Sequence, residues 1–387
     1  MKVERITMKD VAKALGLSIS TVSKALNDSY EISAATKELV INYVKQKNYV
    51  PNPIARSLKH GKSKSIGVVL CAVDNAFYSQ VINGIESVAY KKGYNIIINQ
   101  SHESYQRELI NVQHLISTSI DGLLIAVSTE TKDFNHLIKL QEKGLPLVLF
   151  DRLTEEVETH KIKINNMQSA YEGTIHLIKN GFKKIAHITS SSDTSISTER
   201  LEGYKKALIE NNLAVNDNLV KFCPHGGMLA EEVDVAIDQL LQLKEMPDAI
   251  FTASDRITTQ TLIYLTKVRI KIPEDIALIG FTNTALAEVL NPSLTSITQP
   301  AFEMGQLAAT KLIELIESKF PVCDFETLIL ETGLHIRKST VKKTFAIIMK
   351  KEMAEHWAKK NRNLFSFLQY NNLLYKINFY FRWMSKS

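Results

Sequence analysis

The side chains with the plainest chemistry fall between residues 18 and 27. A row of small hydroxyl groups, Ser18, Ser20, Thr21 and Ser23, leads to Lys24 and ends near Asn27. Short hydrogen-bonding side chains with one cation form a compact polar and basic face, which suits entry into the DNA major groove. The elements that would position this face are legible in the stretch TMKDVAKALGLSISTVSKALN, residues 7–27. Thr7 is placed to cap a first helix, with Asp10 three residues on completing a capping box. Val11, Ala12 and Leu15 share one face, and Gly16 stands where the helix must stop at positive φ. Ser18 can cap a second helix whose Val22, Ala25 and Leu26 pack back on the first, leaving Ile19, Ser20, Ser23 and Lys24 outward. A third helix follows from Ser33, with Leu39, Val40, Tyr43 and Val44 at helical spacing. The competing reading is a small three-helix bundle with no partner.

The next stretch, NYVPNPIARSLK from Asn48, is a turn followed by about a turn and a half of helix. Asn52 is a good cap and Pro53 fits the first helical position. So short a helix is marginal in water and would form when paired with its own copy on DNA. Leu58 would then suit insertion between base pairs in the minor groove. The alternative is a plain linker whose leucine packs locally.

The motifs DVAKALGLSISTVSKALN, ISAATKELV, NYVPNPIARSLK and KSIGVVL resemble the lactose-repressor/galactose-repressor (LacI/GalR) family of bacterial transcription regulators, over about residues 6 to 340. The resemblance implies a helix-turn-helix headpiece over 1–51, a hinge helix and linker over 52–64, and a two-lobed core over 65–340 that resembles periplasmic binding proteins and dimerises. Lobe 1 would comprise about 65–162 and 292–324, and lobe 2 about 163–291 and 325–340. On family grounds, Thr7, Met8, Ser18, Ile19, Ser20, Thr21, Ser23, Lys24 and Asn27 would meet a near-palindromic DNA operator. Ser33, Thr36 and Tyr49 would mostly position its backbone. Asn52, Ala55, Arg56, Leu58 and Lys59 would work in the minor groove.

Charge supports this division. Residues 1–64 carry 12 Lys+Arg and 5 Asp+Glu, while 65–340 carry 25 and 34. The basic head thus sits on an acidic core. Residues 341–387 carry 10 and 2 and lie beyond the family pattern. This aromatic, basic extension reads as an appended, unselected segment or as an amphipathic stretch on a membrane or nucleic acid. Its asparagines and Lys376 argue against a spanning helix.

In the core, apolar runs of strand length at 66–70, 95–99, 122–127, 145–150, 184–189, 249–253 and 276–281 alternate with amphipathic segments at 79–92, 106–118, 168–180, 199–211, 229–243 and 258–268. Short buried strands separated by helices call for parallel sheets covered on both faces, so the fold class is α + α/β. Ligands of such sheets bind beyond the carboxyl ends of strands. The candidate cleft walls are therefore Asp74 to Tyr78, Asp151-Arg152, Ser254-Asp255-Arg256 and Thr282-Asn283, with Arg200 at the start of a helix. Each strand-end Asp could instead be only a helix cap. The resemblance places Asn75, Phe77, Tyr78, Asp151, Arg200 and Gln299 against a small-molecule effector. Ser254, Asp255, Thr282 and Asn283 join them by position.

The family carries an aspartate where this chain has Thr282, and a hydroxyl makes only a neutral hydrogen bond. Among a sugar, a sugar phosphate and a sugar acid, that counts against a plain neutral sugar and makes room for a phosphorylated or acidic one, which a carboxylate would repel.

Cys71, Cys223 and Cys323 are far apart with no CxxC pair, so neither a disulfide framework nor a zinc site is expected, and no cofactor or metal. An N-terminus that opens into a polar capped helix points to the cytoplasm, with no membrane partner. An exported binding protein would share the core without the head. An enzyme is disfavoured, because GxGxxG, P-loop and GxSxG motifs are missing from the sequence. A solute-binding or enzymatic core using the head only as a DNA tether is the remaining alternative.

Overall fold

The computed structural model describes residues 6–47, 49, 62–191 and 194–341. The proposed hinge residues Asn52, Ala55, Arg56, Leu58 and Lys59 lie outside the described residues, as does the extension from 342 onward.

The head is three helices, α1 (Met8–Leu15), α2 (Ile19–Leu26) and α3 (Ala34–Gln46). Each begins on a hydroxyl cap. Thr7 and Asp10 form the reciprocal capping box, while Ser18 and Ser33 accept from Thr21 N and Thr36 N. Gly16 ends α1 at φ 65°, the left-handed conformation that costs glycine nothing. Val11, Ala12, Val22, Ala25 and Val40 close a small core with Tyr49. Leu39, expected beside Val40, is instead half exposed.

The core holds two six-stranded sheets. The first runs β11-β5-β4-β3-β1-β2, from β1 (Ser65–Leu70), β2 (Asn95–Gln100), β3 (Gly122–Ile125), β4 (Leu147–Phe150), β5 (Lys161–Ile164) and β11 (Thr327–Leu330). The second runs β12-β10-β9-β8-β6-β7, from β6 (Ile185–Ser190), β7 (Val220–Cys223), β8 (Ala249–Thr252), β9 (Ala277–Phe281), β10 (Thr295–Thr298) and β12 (Gly333–His335). All pairings are parallel except β10 with β12. The helices between them are α4 (Ala76–Lys91), α5 (Tyr105–Ser117), α6 (Asn135–Glu142), α7 (Asn166–Lys179), α8 (Ser195–Glu210), α9 (Ala230–Leu241), α10 (Asp255–Lys267) and α11 (Ala301–Glu317).

Three strands correct the expected lobe limits. β5 runs past residue 162 yet belongs to the first sheet. β10 lies in the second sheet although the return to lobe 1 was placed at 292. β11 lies in the first sheet although 325–340 was assigned to lobe 2. The chain therefore crosses between lobes near 165, 299 and 331. The composition of these strands hides them: KIKI alternates charge with apolar side chains, and TSIT is largely polar although buried.

Two helices of the first lobe approach unusually closely. A Cβ on Gly84 of α4 would stand 2.0 Å from Phe302 O, and one on Gly305 of α11 would stand 2.1 Å from Val81 O. The second lobe repeats the device, with Gly203 of α8 against Met167 O of α7. In each lobe, then, a helix pair meets backbone to backbone.

Candidate DNA interface and interlobe site

The outward face of α2 presents Ser18, Ile19 and Ser20 as exposed side chains, with Thr21, Ser23 and Lys24 half exposed and Asn27 exposed at its end. Ile19 is 50% exposed, an apolar group kept at the surface among hydroxyls. Several candidates also hold the head together. Thr7 Oγ1 donates to Asp10 Oδ2 at 2.6 Å, and the Ser18 and Thr21 hydroxyls lie 2.8 Å apart. Asn27 Nδ2 donates to Ser23 O at 2.8 Å, and the Ser33 and Thr36 hydroxyls are 2.9 Å apart. Lys24 forms an ion pair with Glu31 in the loop after α2. Met8 is half buried, and Tyr49 is buried in the head core rather than displayed.

The interlobe site starts from helix entries. Asn75 Oδ1 accepts from Phe77 N at 2.8 Å and from Tyr78 N at 3.4 Å, so it caps α4. Phe77 and Tyr78 are both buried, edge to face with centroids 5.1 Å apart. Tyr78 OH donates to Asp151 Oδ2 at 2.8 Å. Asp151, after β4, holds φ 62°, a costly conformation for a residue with a Cβ. Burial raises its carboxyl above the ordinary range, with Arg152 and the Tyr78 hydroxyl opposing that rise.

Arg152 is not free for a ligand. Its two terminal nitrogens grip Glu103, Nη2 donating to Oε1 at 2.8 Å, and Nη1 also donates to Thr129 Oγ1 at 3.1 Å. Burial pushes the Glu103 carboxyl up, but the Arg152 charge and the hydrogen bonds outweigh it and hold the group down at about 2. Arg152 and Glu103 thus form a bidentate, charge-assisted ion pair within lobe 1.

Across the cleft, Arg200 of α8 is 4% exposed. Its Nε donates to Asn166 Oδ1 at 2.9 Å, Nη2 to Gln299 Oε1 at 3.0 Å and Nη1 to Ala253 O, and the guanidinium stacks 3.6 Å from the Phe281 ring centroid. Burial pulls its pKa down to about 10, so it stays charged near neutrality. Its hydrogen-bond partners among the described residues are all neutral.

The crossover strand is fastened by amides. Asn283 Nδ2 donates to Gln299 O and to Gln80 Oε1, both at 2.7 Å, while Gln299 N donates to Asn283 Oδ1 at 2.9 Å. The Gln80 contact and an Arg256–Asp74 ion pair both join one lobe to the other. Thr282, in the place of the expected aspartate, donates its hydroxyl to the carboxylate of Asp255. A carboxylate therefore still stands beside this strand end, supplied by α10. Ser254 accepts from Ile257 N at 3.3 Å and serves as the cap of α10.

A cavity of about 250 Å³ opens in the seam, lined by Asp151, Leu153, Thr154, Glu155, Lys163, Asn166, Ser195 and Glu199. Of the ten residues proposed for the effector, only Asp151 borders it. Arg200 stands one layer behind Asn166, and Asn75 and Ser254 are spent as caps. Lys163, Asn166 and Glu199, which the sequence reading did not single out, also line this cavity. Lys163 Nζ donates to Glu199 Oε1 at 2.5 Å, and Asn166 Nδ2 donates to Glu199 Oε2 at 2.9 Å. Recognising β5 as a strand would have exposed Lys163 and Asn166, because the first lies on it and the second follows its carboxyl end. Glu155 is paired in turn with Lys161 at 2.5 Å.

Among the described residues no group of three or more His, Cys, Asp or Glu is arranged to hold a metal ion. Cys71 and Cys223 are buried and Cys323 exposed, all free thiols. No described helix is long and apolar enough to cross a membrane.

Comparison with known proteins places this geometry. Residues 7–52 match the pattern described as bacterial regulatory proteins, lacI family, and residues 174–340 match a periplasmic binding protein-like domain. The HTH-type transcriptional repressor PurR of Vibrio atlanticus is 33% identical over 337 residues, covering 87% of this chain and 98% of the relative. The ribose operon repressor of Haemophilus influenzae is 34% identical over 336 residues, covering 86% and 98%. A CelR–cellobiose complex superposes with a TM-score of 0.63 at 27% identity, covering 87% of this chain and 100% of that one. The lac repressor dimer bound to operator and the anti-inducer ONPF superposes at 0.75 and 23% identity, covering 88% and 100%, and speaks to the fold alone. With a capped helix-turn-helix at one end and a two-lobed parallel core behind it, this chain belongs to the lacI family of bacterial regulatory proteins and is a DNA-binding transcriptional regulator.

Proposed function

We propose that the chain is a cytoplasmic, non-enzymatic repressor. It binds a near-palindromic operator as a homodimer and is controlled by an uncharged, hydroxyl-rich small molecule, a sugar, held in the interlobe cleft. In each protomer α2 enters one half-site, where Ser18, Ile19, Ser20, Thr21, Ser23, Lys24 and Asn27 supply the contacts. The PurR and ribose operon repressors named above support repression, and the cellobiose complex supports a sugar.

The observation that carries the ligand class is the pairing of charges around the cleft. Glu103 is matched by Arg152, Glu155 by Lys161 and Glu199 by Lys163. Around the cleft Asp151, Asp255 and Arg200 have no ionic partner at hydrogen-bond distance among the described residues: the two carboxylates accept from the hydroxyls of Tyr78 and Thr282, and the guanidinium donates to neutral groups. Asp151 and Glu199 both border the cavity, while Arg200 lies behind it with its nitrogens on neutral partners. A phosphate or carboxylate would therefore bring an anion against two carboxylates, whereas a polyol offers hydroxyl donors at no net charge.

The test is the thermal stability of the full chain against uncharged sugars, sugar phosphates, sugar acids and nucleobases. A ligand at a hundred times its dissociation constant adds about 2.7 kcal/mol. The expected result is a selective shift with an uncharged sugar. A shift confined to phosphates, acids or nucleobases would refute the ligand class, and no shift with any compound would point to a ligand outside the panel or to control by a protein partner.

A further inference from the structure

The chain enters the core through residues 62–65, and this stretch is held by far more than a linker requires. Ser63 N and Ser63 Oγ donate to Asp121 Oδ1 at 2.7 and 3.0 Å, and Lys64 N donates to Asp121 Oδ2 at 2.8 Å. One carboxylate thus takes three hydrogen bonds from two consecutive residues. Lys62 Nζ donates to Ile316 O at 2.9 Å, in the last turn of α11, where unsatisfied carbonyls and the helix dipole favour a cation. The Lys64 ammonium lies 4.0 Å from the Tyr94 ring centroid and 3.4 Å from Glu317 Oε1.

The backbone of Lys64 is left-handed, with φ 54°. A residue with a Cβ adopts that conformation at a cost of order 1 kcal/mol or more, and it persists only where the surroundings over-determine it. Three separate elements converge to do so: the turn before β3, the end of α11 and the residue before β2. The kink falls at the start of the sheet, where β1 pairs with β2 from Ser65 and with β3 from Ile66 and Lys64 O accepts from Asn95 N at 2.8 Å.

The same helix reaches the cleft. Ala301 N at its start donates to Gln299 O at 2.7 Å, and Gln299 accepts from Arg200 in the other lobe. Its 17 residues span about 25 Å at 1.5 Å per residue. Gly84 and Gly305 let it pack backbone to backbone on α4, whose first turn carries Phe77 and Tyr78.

We propose that Asp121 is a positioning residue for DNA recognition. Its carboxylate sets the direction in which residues 62–64 leave the core, and so the placement of the head on specific DNA. It touches no DNA itself. With Lys62 seated on the end of α11, the clamp also lies where movement at the cleft would reach the head.

The test compares the full-length wild type with Asp121→Ala, Asp121→Asn and Ser63→Ala. Each is measured on a duplex enriched from a random pool by the wild type and on random-sequence duplex, across a salt series, together with the thermal midpoint. Removing an acidic charge alone would tighten binding to both duplexes slightly. A positioning role predicts the opposite on one of them. Asp121→Ala should lose at least tenfold in affinity for the enriched duplex while random-duplex affinity, salt slope and midpoint hold. Asp121→Asn, which keeps acceptor oxygen and shape, should recover part of the loss, and Ser63→Ala should lose less than Asp121→Ala. Equal changes on both duplexes, or no loss on the enriched one, would overturn the proposal. If Asp121→Ala fails to fold, Asp121→Asn and Ser63→Ala decide by the same criterion.

Discussion

Replacing Arg200 by leucine is expected to lower the unfolding free energy of the core by about 3–5 kcal/mol and to erase any ligand-induced stabilisation. The guanidinium is buried and donates to Asn166, Ala253 and Gln299, which come from α7, the end of β8 and the crossover after β10. Leucine would leave those three acceptors buried without a donor, and each such orphan costs about 1–3 kcal/mol. It would also free Asn166, which lines the cavity, and Gln299, which leads into α11. The head shares no hydrophobic cluster with the core, so its DNA contacts should survive in the folded fraction. Urea denaturation followed by ligand titration checks both halves. A loss below about 1 kcal/mol with ligand binding retained would mean that the guanidinium neither ties the lobe nor serves the site.

A single methyl group at Gly305 should be nearly as damaging. In an exposed helix alanine is favoured over glycine by about 0.8–1 kcal/mol. Here the new Cβ would sit 2.1 Å from Val81 O and 2.9 Å from Ile85 N, both backbone atoms of α4. Backbone does not rotate away as a side-chain tip does, so α4 and α11 must separate along the crossing. Overpacking of this kind costs typically about 1–3 kcal/mol and occasionally more. Gly305→Ala should therefore destabilise by about 3 kcal/mol, whereas Gly122→Ala should cost much less. The neighbours of Gly122 are the Cδ1 atoms of Ile316 and Leu312, at 2.9 Å each, and those can shift. Denaturation midpoints of the two variants decide the matter. Equal losses would show that the helix pair yields as easily as a side chain.

Legibility in the sequence followed the strength of local signals. The head could be read almost residue by residue, because Thr7, Ser18 and Ser33 are hydroxyl caps set immediately before helices and Gly16 is the obligatory turn residue. Leu39 misled, since helical spacing alone does not tell a buried face from its flank. In the core, strands that are buried apolar runs announced themselves. β5, β7, β10, β11 and β12 did not: they are short and mix polar with apolar side chains, and tertiary packing rather than pattern makes them strands. Helices α4, α8 and α10 begin three or four residues earlier than periodicity suggested; the first turns of α8 and α10 are mostly polar, while that of α4 carries Phe77 and Tyr78, which the sequence reading assigns to the cleft wall.

The site followed the same rule. Asp151 and Arg200 were visible from strand ends and from resemblance. Lys163 and Asn166 hung on the unread β5, and Glu199 was passed over beside the more conspicuous Arg200. Thr282 looked like a lost carboxylate. Only the fold shows Asp255 standing next to it.

The central claim is that the head of this regulator reads DNA as one half of a symmetric pair. The most direct measurement is enrichment of duplexes from a random pool by the full chain, followed by sequencing. The account predicts a near-palindromic site of two half-sites in inverted orientation, with Ser20→Ala and Lys24→Ala changing the preferred bases within each half. No enrichment, or a single half-site without a symmetric mate, would contradict it.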